Sequence, residues 1–377
     1  MKPGITKLAI VSALAMGLAL PAAARRPIAK KQRPRVEVVF ALDTTGSMGG
    51  LIEGAKRKIW SIVDEIARGK PTPEIRLGLV AYRDRGDNYV TQVTPLTDDL
   101  DAVYEKLMQF RADGGGDGPE DVNSALRDAL NRMNWTQGRS VLKTIFLVGD
   151  APPHMDYNDV PSYKKTVKRA ITRDISVNAI QCGNWAETTT VWQQIADRGE
   201  GSFVALAQDG GTVAVATPYD KELSKLSGEL SDTHMAYGKA EERKAAKAKV
   251  RRAEAVAGAA APMASADRAS YRARTGTVGR SDLLEAMDKD GVALDDVAEE
   301  ELPEPMKTMK PAARKAFVEK KQKERAELRQ QISELSKKRD AFIKDEMKKK
   351  GAGRDAFDEK VIEAIRAKAE EKGIDYE

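Results

Sequence analysis

The chain has 377 residues, 41% of them hydrophobic and 32% charged, which suits a globular protein and excludes a collagenous or wholly disordered one. Its 63 basic and 58 acidic side chains leave a net charge of +5, too balanced to argue for a nucleic-acid groove, so no nucleic-acid partner is expected. A single cysteine, Cys182, excludes an internal disulfide framework and any multi-cysteine metal site, and two histidines, His154 and His234, leave little material for histidine-based metal catalysis.

Along the chain, Lys2 and Lys7 precede a run from Leu8 to Leu20 that is apolar apart from Ser12, and Pro21-Ala22-Ala23-Ala24 supplies small residues. This pattern predicts a secretory signal over residues 1–24, cut after Ala24, and hence an exported protein, periplasmic or secreted. The apolar run is too short to span a bilayer as a helix, and no later stretch approaches that length, so no transmembrane segment is expected in the mature chain. A basic linker follows over 25–34.

From residue 35 to 235 short apolar runs alternate with helical patterns. Strands are predicted at Val36–Leu42, Ile75–Tyr82, Tyr89–Pro95, Lys143–Gly149, Ile175–Gln181 and Ser202–Leu206. Helices are predicted at Leu51–Arg68, Asp98–Gln109, Pro119–Met133, Pro161–Arg173, Thr188–Arg198 and around Leu223–Leu230, with Pro119 in the first turn of the third. The alternation implies an α/β fold: a doubly wound, mostly parallel sheet with helices on both faces, whose ligands sit at the carboxyl ends of the strands.

The first strand ends in Asp43-Thr44-Thr45-Gly46-Ser47-Met48-Gly49. Asp-x-Thr-x-Ser lets one carboxylate and two hydroxyls converge, and these hard oxygen donors suit Mg²⁺ (or Mn²⁺) rather than zinc. The spacing does not fit a Gly-x-Ser-x-Gly nucleophile elbow, and no Gly-Lys-Ser/Thr follows to make a phosphate loop. Phe40 to Met48 resembles the first motif of von Willebrand factor type A domains, whose metal-ion-dependent adhesion site begins Asp-x-Ser/Thr-x-Ser. Two later segments match in order. Gly114-Gly115-Gly116-Asp117-Gly118-Pro119-Glu120-Asp121 resembles the Asp-x-Pro-Glu loop of the integrin β-subunit version, and Phe146 to His154 resembles the strand-four motif ending in a metal-site aspartate. The wording is also similar to the type A domains attached to some α-kinases and, more loosely, to bacterial secreted type A proteins.

The resemblance covers about 35–235 and implies a Rossmann-like type A domain. It implies that Thr45 and Ser47 donate hydroxyls to a divalent cation, that Asp43 and Asp150 act directly or through water, and that Glu120 completes the site where many type A domains place a threonine. Asp117 and the Pro119 carbonyl match a second cation site of integrin β-subunits. A protein partner presenting a carboxylate would fill the open position of the cation. Catalysis is not expected, because His154 is the only histidine near a motif and no nucleophile–base pair accompanies it. Arg85-Gly86-Asp87 reads as a turn, and Trp60, Trp135, Trp185 and Trp192 as packing or helix-rim residues.

Residues 221–377 carry 67 of the 121 charged side chains but only six of the 20 aromatics. They read as a charged α-helical arm in two parts. Residues 236–280 hold a solvated helix, Ala240–Ala257, and a flexible linker over Gly258–Gly279 with no apolar period. Residues 281–377 hold a capped helix from Ser281, a turn at Asp288–Gly291, and a helical hairpin that reverses at Gly351-Ala352-Gly353. In its long helix, Pro311–Lys349, the residues Leu328, Ile332, Leu335, Arg339 and Phe342 form a short coiled-coil-like seam suited to self-association. The expected function is an exported, non-enzymatic binding or adhesion protein. The alternatives are a scaffold whose C-terminal arm carries the interaction while the metal only stabilises, and a metal-dependent hydrolase.

Overall fold

The computed structural model describes residues 33–116, 118–138, 140–211, 215–349 and 357–376. The expected signal and most of the basic linker, Asp117 and the reversal at 351–353 lie outside these residues. Six strands form one sheet: β1 (Arg35–Asp43), β2 (Glu74–Tyr82), β3 (Thr91–Thr97), β4 (Val141–Gly149), β5 (Ser176–Cys182) and β6 (Phe203–Leu206). Their order is β3-β2-β1-β4-β5-β6, with β3 antiparallel at one edge and every other pairing parallel. The apolar β1 and β4 lie in the middle because a strand with helices on both faces must bury both sets of side chains. Val36, Val38, Phe40 and Leu42 of β1 face one core, while Val39 and Ala41 face the other.

On the first face lie α1 (Gly49–Ala67) and α2 (Leu100–Gln109). On the second lie α3 (Val122–Asn131), α4 (Tyr163–Thr172) and α5 (Ala186–Arg198). The fold is therefore a doubly wound, mostly parallel α/β sheet, as expected. Pro119 is not in the first turn of α3. That helix starts at Val122, and Asp121 caps it by accepting the Ser124 N–H at 2.8 Å, which leaves Pro119 and Glu120 in the preceding loop.

The helical region after the sheet comprises α6 (Asp220–Asp232), α7 (Ala240–Ala259), α8 (Pro262–Thr275), the single turn α9 (Leu283–Glu285), α10 (Pro311–Lys349) and α11 (Phe357–Ala369). The stretch expected to be a flexible linker is α8, and it is among the most buried helices. Ala264 joins the core against α1, while Ala266, Ala269 and Ala273 pack with α6 and α10. Two arginines of α8 are buried on ion pairs: Arg268 with Asp101 of α2 at 2.6 Å and Glu254 of α7 at 2.9 Å, and Arg272 with Glu254 at 3.1 Å. A helix buried through alanine and paired arginine has no large-apolar period to read, so the sequence pattern mistook it for linker.

The expected hairpin is also different. The seam of α10, Leu328 and Ile332, packs against Leu223, Leu226 and Leu230 of α6 and the alanines of α8. In α11, Phe357, Val361 and Ile365 join the sheet core beside α1 rather than pairing with α10. Both apolar stripes are thus covered within the chain, including the seam that suggested self-association. The C-terminal end is fastened to the turn after α1, where Lys70 and Asp375 exchange backbone hydrogen bonds of 2.8 and 2.9 Å. Among the described residues, no helix is long and apolar enough to cross a membrane.

Candidate functional site

At the carboxyl ends of β1, β4 and β5 lies a cavity of about 330 Å³ lined by Thr45, Ser47, Glu120, Asp150, Asn184, Trp185 and Gln208, with Gly114, Gly115 and Gly118 along its wall. Each side chain has a local reason to be there. Asp43 is the last residue of β1, and the next residue, Thr44, is clamped by Tyr82 O at 2.9 Å and Tyr89 Oη at 2.7 Å. The chain then turns through a single 3-10 turn, Gly46–Met48, into α1. Met48 is buried beneath it, while Ser47 is exposed at the cavity. Asp43 Oδ1 accepts the Thr45 N–H at 2.9 Å and the Thr45 hydroxyl at 2.6 Å, and Thr45 Oγ1 lies 3.4 Å from Ser47 Oγ.

Glu120 and Asp150 come from different loops that are stitched together. Glu120 N donates to Pro152 O at 3.0 Å and Glu120 O accepts from His154 N at 3.0 Å, a short parallel bridge between the loop before α3 and the loop after β4. Asp150 follows Gly149, where an added Cβ would come within 2.4 Å of Tyr82 Oη and 3.0 Å of Asp43, so only glycine lets β4 approach β1 here. The glycines 114 and 115 have φ of +77° and +82°, and an added Cβ on Gly115 would press on Thr45 at 3.1 Å. The structure therefore brings Asp43, Thr45, Ser47, Glu120 and Asp150 to one place. Asp117 lies outside the described residues.

The electrostatics are unbalanced. Asp43 Oδ2 and Glu120 Oε2 are buried and have no hydrogen-bond partner. Burial pushes Asp43 up to about 7, against the pull of its Thr45 hydrogen bonds, and the nearby Asp150 charge adds to the rise. Burial, then the charges of Asp43, Asp84, Asp87 and Asp150, push Glu120 up to about 9. Among the described residues no lysine or arginine lines the cavity to offset these carboxylates. The donor set is hard oxygen throughout, which fits Mg²⁺ or Mn²⁺. Among the described residues no three carboxylate, imidazole or thiolate groups sit close enough to hold an ion by themselves, so the Thr45 and Ser47 hydroxyls would have to belong to the set.

Gln208 and Asn184 were not singled out in the sequence, and Trp185 was read there only as a packing or helix-rim residue. Gln208, after β6, donates Nε2 to Asp150 Oδ2 at 2.6 Å and to Ser47 O at 3.3 Å. Asn184 and Trp185 come from the turn between β5 and α5; Trp185 is 41% exposed, whereas Trp60, Trp135 and Trp192 are buried, as expected of packing residues. No motif marks these positions, since they reach the cavity only because β5 lies beside β4 and β6 beside β5. His154 is outside the cavity lining: its ring stacks on Tyr157 at 4.4 Å and its Nδ1 lies 2.9 Å from Asp156. Arg85-Gly86-Asp87 is a turn, as expected, engaged within the fold: Arg85 pairs with Asp121 and Asp159, and Asp87 accepts the Gly115 N–H.

Residues 37–218 match the family model of the von Willebrand factor A domain. The human von Willebrand factor A domain-containing protein 7 is 37% identical over 120 residues, which is 32% of this chain and 12% of that protein. The alpha-protein kinase vwkA of Dictyostelium discoideum is 28% identical over 121 residues, 32% of this chain and 19% of the kinase. The chain thus spans less than a fifth of the length of these relatives. Among solved structures, the conserved hypothetical protein BatB of Bacteroides thetaiotaomicron is 20% identical with a TM-score of 0.34, covering 46% of this chain and 90% of BatB. Residues 37–218, which hold every strand of the sheet apart from Arg35 and Val36 of β1 and every residue around the cavity, are a von Willebrand factor A domain.

Proposed function

We propose that the chain is an exported, non-enzymatic binding protein whose von Willebrand factor A domain engages an acidic group of a protein partner through a divalent cation, Mg²⁺ or Mn²⁺. A domain of this type supports a protein-interaction role. The observation that carries the metal reading is the pair of buried, unpartnered oxygens, Asp43 Oδ2 and Glu120 Oε2, beside two hydroxyls and, among the described residues, with no basic residue lining the cavity. A buried carboxylate without a partner is costly, and a cation held by Asp43, Thr45, Ser47, Glu120 and Asp150 would offset that cost. When bound, the ion would supply an electrophilic position for a partner's carboxylate.

The protein's own residues favour binding over turnover. Thr45 and Gln208 hold Asp43 and Asp150 through hydrogen bonds, and no histidine lines the cavity to serve as a base. Cys182 lies against it, but burial and the nearby carboxylates push its thiol far above the ordinary range, which disfavours the thiolate nucleophile.

Calorimetric titration of Mg²⁺ and Mn²⁺ into metal-free protein tests this reading. Saturable binding that disappears in Asp43→Ala, with the fold kept, is the expected result; no heat with either ion, or equal binding by the variant, removes the metal from the function. Export rests on the pattern of residues 1–24. Expression of the full chain in a bacterial host, followed by fractionation and N-terminal sequencing, should yield an exported protein beginning at Arg25; an uncut chain retained in the cytoplasm would refute it.

A further inference from the structure

Among the described residues, the two exposed large hydrophobic side chains are Met155, 52% exposed, and Trp185, 41% exposed. Both lie on loops at the carboxyl edge of the sheet: Met155 after β4, next to the bridge that fastens Glu120, and Trp185 in the wall of the cavity itself. Elsewhere the chain covers its tryptophans, and even the apolar stripes of α10 and α11 are covered from within. An indole left open at the cavity lined by Glu120 and Asp150 is a feature of docking surfaces, where tryptophan contributes disproportionately to affinity.

Its placement is built. The ring edge of Trp185 rests on Gly118, where an added Cβ would come within 2.5 Å of the ring, so any larger residue at 118 would displace the indole. The Trp185 carbonyl accepts the Gln181 side-chain amide at 2.9 Å and the Thr189 N–H at 3.0 Å, which fixes the backbone at the start of α5. A side chain held in this way loses little freedom when a partner covers it.

We infer that Trp185 is the apolar subsite of the binding surface, and that the preferred partner is a protein segment in which one acidic residue is followed or preceded, two residues away, by a bulky apolar side chain. This inference rests on the proposed function, because the acidic residue is placed at the metal-site end of the same cavity. Along an extended segment, side chains two residues apart on one face are separated by about 7 Å. Glu120, Asp150 and Trp185 line one cavity of about 330 Å³, so an extended segment with its acidic residue at the Glu120–Asp150 end can set the side chain two residues away against Trp185.

The charges around the cavity further restrict the partner. Asp87 accepts the N–H of Gly115 in the wall, Asp209 follows Gln208, Glu187 lies two residues beyond Trp185, and among the described residues the lining contains no lysine or arginine. A run of acidic residues would meet this negative rim, whereas a single carboxylate flanked by apolar residues would not. The surface therefore selects against polyacidic segments.

Three capped, fluorescein-labelled heptapeptides, Gly-Leu-Ser-Asp-Ser-Leu-Gly, Gly-Gly-Ser-Asp-Ser-Gly-Gly and Gly-Asp-Ser-Asp-Ser-Asp-Gly, titrated by anisotropy in Mg²⁺ against the full mature chain, test the inference. Wild type should bind the leucine-flanked peptide at least tenfold more tightly than the other two. Trp185→Ala should lose that advantage while keeping the weak binding of the glycine-flanked peptide, and Trp185→Phe should restore part of it. Equal binding of leucine- and glycine-flanked peptides by wild type, with Asp43→Ala or EDTA abolishing both, would overturn the Trp185 subsite and leave the metal-dependent reading standing. A leucine preference that needs Trp185 but survives EDTA and Asp43→Ala would overturn the metal reading instead. No binding of any peptide at millimolar concentration would overturn both.

Discussion

Two regions of this molecule bury charge, in opposite ways. Behind the sheet, each buried arginine of the helical region has its carboxylate. Arg325 forms a two-pronged pair with Asp282, both contacts at 2.9 Å, and also donates to Thr233. Arg339 reaches Asp220 at 2.7 Å and Asp267 at 2.6 Å, and Arg268 reaches Asp101 and Glu254. At the strand edge, Asp43 and Glu120 are equally buried but, among the described residues, no cationic side chain lines their cavity. A chain that pairs its buried arginines so consistently elsewhere has left one carboxylate cluster uncompensated. The difference separates charges that hold the fold from charges kept for a ligand.

The contrast breaks most sharply if the paired region is disturbed. Arg325→Ala leaves Asp282 buried opposite an empty site, and should lower unfolding stability by about 3–5 kcal/mol in urea titration. The double change Arg325→Met, Asp282→Leu removes both charges and should recover most of that loss. A single variant as stable as wild type would mean the pair contributes nothing.

A smaller effect should appear at the unpaired end. The folded values of Asp43, about 7, and Glu120, about 9, lie above their ordinary carboxylate values. Such groups contribute stability that is fully present below the ordinary value and is lost as pH rises through the folded one. In EDTA, thermal unfolding should therefore fall by several degrees between pH 5 and pH 9, and Asp43→Asn should flatten much of that slope. Mg²⁺ should widen the gap over EDTA as pH rises, since the ion takes the ionised donors. Identical curves with and without Mg²⁺ at pH 9 would set the unpaired carboxylates outside any ion site.

Much of the site was legible along the chain because the strand-edge motifs are local. Asp43, Thr45 and Ser47 lie within five residues, and the glycines that let the backbone turn stand beside them. Gln208 was not legible, and Trp185 was read as a packing or helix-rim residue without its place at the cavity, since nothing in their own surroundings marks either as a site residue. They belong to the cavity only through the order of β4, β5 and β6. The helix α8 was missed for a related reason: Arg268 and Arg272 read as solvated until Asp101 and Glu254 are seen facing them.

The amino-acid sequence alone determined the alternation of strands and helices, the central placement of β1 and β4, and the Asp-x-Thr-x-Ser turn, because apolar period and turn chemistry act over a few residues. Only the tertiary structure decided that the charged C-terminal helices wrap the domain instead of extending from it, and that an exposed indole stands at the carboxylate cavity. Both depend on partners distant in the chain: a buried arginine is tolerated only where a carboxylate meets it, and a cavity wall exists only where separate strands end side by side.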